Sequence, residues 1–152
     1  FVNSTSPIHT VLPVIIEKSD STLCVFGVWA KGDNYTEYQK RYIGQISRFI
    51  SNIKRQAGLH GIIAGDFNWS QNIDKRSSHR DSFKEIVSQL NQSEFHSIYH
   101  SKFHEDFGEE TISTYKTTNN HTDYMFSTEN VSQFTVESKP ESDHKLLYTE
   151  LK

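Results

Sequence analysis

The sequence predicts an α/β layered domain on three observations. Short β-branched and aromatic runs are bounded by turn residues, two stretches of helical apolar spacing lie among them, and polar clusters sit where several runs end. The first two strands are expected at Thr10 to Ile16 and Leu23 to Ala30, parted by the turn cluster Lys18-Ser19-Asp20-Ser21. Pro13 cannot donate to a ladder, so the first of them belongs at a sheet edge. From Tyr35 the spacing becomes helical, with Tyr38, Tyr42, Ile46, Phe49, Ile50 and Ile53 on one stripe and Gly58 as its C-terminal cap. Gly61-Ile62-Ile63-Ala64 then reads as a buried strand, and the polar segment GDFNWSQN follows at its end.

A second helix is predicted where Phe83, Ile86, Val87 and Leu90 repeat at i, i+3, i+4 and i+7, with Ser82 and Glu85 as a capping box and an end near Asn91. His96 to Asn120 lacks periodicity and reads as a loop, with a strand at Ile112 to Lys116. Two last strands are expected near Asp123 to Ser127 and Leu146 to Leu151.

Composition bounds the partners. A chain of 152 residues that is 34% hydrophobic and 12% aromatic suits a single folded domain rather than disorder. A net charge of -3 with both signs interspersed leaves no basic stripe to bind nucleic acid by counterion release alone. Cys24 is the single cysteine and lies in an apolar run, so it reads as a buried thiol. No stretch approaches the length of a membrane span, and a cytoplasmic location is the expectation.

Three polar clusters carry the candidate chemistry. Asp66 and Asn68 stand just beyond a buried strand, where a carboxylate can hold a cation or a water and an amide can orient a phosphate. Asp123 heads a strand, and Asp143 with His144 precedes another, adding two carboxylates and an imidazole suited to proton transfer near neutral pH. Each alone is an ordinary turn residue, but three such clusters in one α/β chain point to phosphoryl chemistry. His121 and Arg41 are lesser candidates for phosphate contact. His96, His100 and His104 repeat every four residues without any zinc-site pattern.

GDFN at Gly65 to Asn68, TDYMF at Thr122 to Phe126 and SDH at Ser142 to His144 resemble, in order and spacing, three signature segments of the endonuclease/exonuclease/phosphatase superfamily. The resemblance extends from about Thr10 onward. It implies a four-layer α/β/β/α sandwich of the deoxyribonuclease I-like type, with the chain forming a single incomplete domain whose N-terminal part is missing. It also implies a divalent-metal-dependent phosphodiesterase, with nucleic acid the favoured phosphate-ester substrate and Mg²⁺ or Mn²⁺ the cofactor. In that reading Asp66 activates or positions the attacking water and Asn68 orients it or the phosphate. His144 contacts the scissile phosphate, Asp123 holds its ring, and Asp66 and Asp143 serve the metal.

Two departures are visible. Trp29 stands where several nucleases of the superfamily place His or Tyr, and the superfamily's metal-binding Glu would lie upstream of Phe1. Little activity and self-association through an uncovered sheet face are therefore expected. The alternative function is a non-catalytic binding or scaffold protein that keeps the fold.

Overall fold

A computed structural model describes residues 11–17, 19, 22–29, 60–75 and 82–152. The helix expected from Tyr35 to Gly58, with Arg41 on it, lies outside those residues, as do most of the first turn and the Ser82 side chain of the expected capping box. The strands β1 (Val11–Glu17), β2 (Thr22–Trp29), β3 (His60–Asp66), β4 (His96–Ser97) and β5 (Asp123–Ser127) form one sheet in the order β1-β2-β3-β5-β4. β2 and β3 run parallel and the other neighbours antiparallel. β6 (Val131–Ser138) and β7 (Lys145–Leu151) pair antiparallel as a second sheet.

The alternation of β2 decides which face is covered. Cys24, Phe26 and Val28 are buried and share a core with Ile63, Tyr124 and Phe126. Helix α2 (Ser82–Asn91), which follows the short α1 (Gln71–Asp74), lays its predicted stripe of Phe83, Ile86, Val87 and Leu90 into the same core. On the opposite face Met125 packs with Ile98 and Tyr99 of α3 (Ile98–Phe103) and with Phe134, Val136 and Leu147 of the second sheet. The larger sheet is thus covered by a helix on one side and by a helix and a sheet on the other. Leu12, Val14 and Ile16 of β1 are exposed, at 68%, 45% and 42%.

Several elements differ from the sequence-based expectation for identifiable reasons. β6 escapes the period-two test because a register shift between Val131 and Gln133 puts its apolar residues at 131, 134 and 136. α3 has only six residues and buries just Ile98 and Tyr99, too few to show a period; it ends where His104 turns left-handed at φ 56°. The strand expected at Ile112 to Lys116 reduces to bridges from Tyr115 to Asn120 and to His144.

A buried carboxylate staples the segment after β3 to α2. Asp74 is 1% exposed and accepts hydrogen bonds from Trp69 Nε1 and from the backbone N–H of Phe83, both at 2.6 Å. The second donor is one that a helix leaves unpaired in its first turn, so Asp74 caps α2 from outside it. Asp74→Ala is expected to cost about 2–4 kcal/mol, because two buried donors lose an ionised acceptor. Urea unfolding of the variant measures it.

His121 gives the fold an acid sensitivity. Burial holds its ring below the ordinary histidine value, against the hydrogen bond between Nδ1 and the Ile112 carbonyl and the charge of Glu110. The folded chain therefore resists a proton that the unfolded chain accepts near about pH 6.5. That contribution to stability is present above this pH and is lost as the pH falls through and below it. His121→Phe should therefore gain melting temperature relative to the parent chain on going from pH 7 to pH 5, whatever the other titrating groups contribute to both.

Candidate active site

Asp66 ends β3, and its approach depends on Gly65. That glycine has φ 140°, and a Cβ there would meet the carbonyl oxygen of Val28 at 2.0 Å. The chain then turns through Asn68, whose φ of 48° is a left-handed conformation that asparagine tolerates. Asn68 clasps the carboxylate it follows: its backbone N–H donates to Asp66 Oδ1 at 2.8 Å and its Nδ2 to Oδ2 at 2.7 Å.

The β3–β5 register sets Asp123 opposite Asp66. His144 reaches the same place from the loop before β7, with Nδ1 at 3.0 Å from both Asp123 oxygens. One ligand atom from each of Asp66, Asp123 and His144 lies within 4.8 Å of the others, and this is the one such group among the described residues. Asp143 is exposed and outside that group, although its charge acts on the His144 ring.

The electrostatics follow from this crowding. Burial pushes the Asp66 carboxyl above its ordinary value and the Asp123 charge adds to that, while Asn68 and His144 pull it back in part. For His144 burial opposes the charged ring, but the hydrogen bond and charge of Asp123, with Asp66 and Asp143 beyond, raise its pKa overall. The site therefore pairs a carboxylate disposed to take a proton with an imidazole disposed to keep one.

A segment with no motif signal holds these parts together. The Thr114 side chain is buried, and its hydroxyl oxygen accepts from the backbone N–H groups of Thr122 and Asp123, each at 2.9 Å. Its carbonyl accepts from Lys145 N at 2.8 Å, and Lys116 N donates to the Asp143 carbonyl at 2.8 Å. The Tyr115 ring lies 4.8 Å from the His144 ring, and Lys116 Nζ donates to the carbonyls of Lys139 and Ser142. Residues 114–116 thus grip the Asp123 strand on one side and the SDH loop on the other. A threonine in a polar loop carries no mark of this; only the pairing reveals it.

Among the described residues, the other histidines stand apart from this group. His121 is 4% exposed and bonded to a backbone carbonyl, which removes it from substrate contact. His100 pairs with Ser97 and Glu110 and stacks on Phe107, while His96 is exposed on β4.

Comparison with solved structures places this architecture. The chain shares the deoxyribonuclease I-like fold of the endonuclease domain of TRAS1, a telomere-specific non-LTR retrotransposon, at TM-score 0.65 and 18% identity over 94% of this chain and 62% of that one. It superposes on the 3′ phosphatase NExo from Neisseria bound to product DNA hairpin at TM-score 0.73 and 13% identity, covering 97% of this chain and 66% of that one. An AP endonuclease from Archaeoglobus fulgidus gives TM-score 0.63 and 13% identity over 85% and 61%. The chain spans less than two-thirds of each of these structures. No family profile and no curated protein matches the sequence.

The Asp123–His144 pairing makes its own prediction. In Asp123→Asn the acceptor loses its charge, so the His144 pKa should fall toward the free histidine value of about 6.5. An NMR titration of the ring protons checks this; an unchanged midpoint would mean that the pair does not form in solution.

Proposed function

We propose that the chain carries the hydrolytic edge of a divalent-metal-dependent phosphodiesterase acting on phosphate esters, nucleic acid foremost. The observation that supports this most is the convergence of Asp66, Asp123 and His144, drawn from three separate segments, at the edge of a deoxyribonuclease I-like sheet. A purely structural ion pair does not need a second carboxylate held beside it with its own clasp. The similar structures are an endonuclease, a phosphatase bound to DNA and an AP endonuclease, which favours phosphodiester chemistry.

The donor set fits a hard divalent cation, being rich in carboxylate oxygen with one imidazole. Asp66 would hold Mg²⁺ or Mn²⁺, with Asp123 beside it adding carboxylate charge and the exposed Asp143 lying outside the group, and the ion would supply charge neutralisation at the phosphate. The side chains do the rest. Asp66 positions the attacking water and takes its proton, while Asn68 fixes the carboxylate in place. The water oxygen bonds to phosphorus as the bond to the leaving ester oxygen breaks, and that oxygen takes a proton from solvent and departs as an alcohol. His144, kept charged and oriented by Asp123, donates a hydrogen bond to the phosphate as charge builds on it.

The test is cleavage of a phosphodiester by the chain, including any upstream sequence its gene encodes. Cleavage should require Mg²⁺ or Mn²⁺ and stop in EDTA. His144→Ala and Asp66→Ala should each lower kcat by roughly a hundredfold or more with a smaller effect on KM. Equal rates in EDTA, or in both variants, would sink the mechanism and favour a binding protein that keeps the fold without the chemistry.

A further inference from the structure

Trp29 is the residue of this edge that the hydrolytic reading does not use. It closes β2 at 57% exposed, whereas Trp69, Phe67, Tyr124 and Phe126 are all buried. Cys24, Phe26 and Val28 turn into the core under α2, so Val25, Gly27 and Trp29 project from the other face of the sheet. That face carries Ala64 and Asp66 on β3 and Met125 and Asp123 on β5, because Trp29 is in register with Asp66 and Asp66 with Asp123. Trp29, Asp66, Asp123 and His144 therefore form one row, with neighbouring strands roughly 4.8 Å apart.

This places an indole beside the proposed phosphate site, on the flank away from His144. Charge decides what such a surface would hold. At a net charge of -3 and without a basic stripe, the chain gains little from counterion release on a polyanion. Stacking on an aromatic face supplies attraction that every base can use, and it does not depend on salt in the way a phosphate contact does.

We infer that Trp29 is the stacking platform for the nucleobase next to the phosphate held at Asp66 and His144. The substrate class is then a nucleic-acid strand with an accessible base, rather than a base-free phosphate ester. The inference rests on the phosphodiesterase reading for the position of the phosphate.

The experiment uses the chain's own fluorescence. It has two tryptophans, and Trp69 is 6% exposed, so acrylamide quenching reads chiefly Trp29. In EDTA, where hydrolysis is blocked, a short thymidine oligonucleotide is compared with a strand of equal length and charge built from abasic tetrahydrofuran residues. The thymidine strand should shield Trp29 and the abasic strand should not. Trp29→Ala should weaken thymidine binding roughly fivefold to a hundredfold, Trp29→Phe should recover most of it, and added salt should leave that ratio unchanged. Equal shielding by the two strands, or shielding by neither, overturns the inference, and this comparison needs no variant to fold. Base-dependent shielding without any metal-dependent cleavage would support stacking and sink the hydrolytic reading; cleavage with base-independent shielding would do the reverse.

Discussion

The antiparallel ladder between β3 and β5 is the constraint on which the site depends, because it brings two carboxylates face to face. Asp66 and Asp123 are register partners at the very end of that ladder. Like charges directly opposite each other on neighbouring strands repel, so the pairing is sustained by what surrounds it. Phe67 N donates to the Thr122 carbonyl at 2.9 Å just beyond the last pair, and the aromatic rings of Phe67 and Tyr124 meet edge to face beneath it at 5.5 Å. A slip of one residue would carry Asp123 to the other face and bring Tyr124 out of the core. The apolar underside therefore enforces the polar arrangement above it.

The two carboxylates are then differentiated by their neighbours. Asp123 meets an imidazole, and Asp66 meets a backbone N–H and an amide two residues along its own chain. The first partner is distant in sequence and has to be delivered by tertiary structure; the second comes with the turn. This explains why the clamp at 114–116 matters. It holds the backbone before Asp123 through the Thr114 hydroxyl and the SDH loop through Lys116, so the geometry between them does not rest on the side-chain pair alone.

What was legible in the sequence is what local rules determine. The stripe Phe83, Ile86, Val87 and Leu90 is a helix because it has the period of one, and Asp123 to Ser127 is a strand with the expected bounds. The resemblance of GDFN, TDYMF and SDH carried the fold and selected residues that the structure brings within reach of one another. β6 was hidden by its irregular register, and α3 by a length of under two turns. Thr114 was illegible for a deeper reason: its importance lies in which backbone groups approach it, and no composition or spacing encodes that. Asp143 shows the opposite case, a residue adjacent to His144 in sequence whose carboxylate faces water instead of joining the cluster.

The same contrast separates Trp69 from Trp29. Trp69 lies three residues beyond Asp66, and its ring nitrogen donates to Asp74, which in turn caps α2. Burying it ties the loop that carries Asn68 to the helix beneath the sheet. Trp29 lies one strand away from Asp66 and stays 57% exposed. An indole has enough apolar surface to serve either purpose, so its residue type says little. Position does: one tryptophan is buried and supports the turn, and the other is more than half exposed at the end of β2, in register with Asp66.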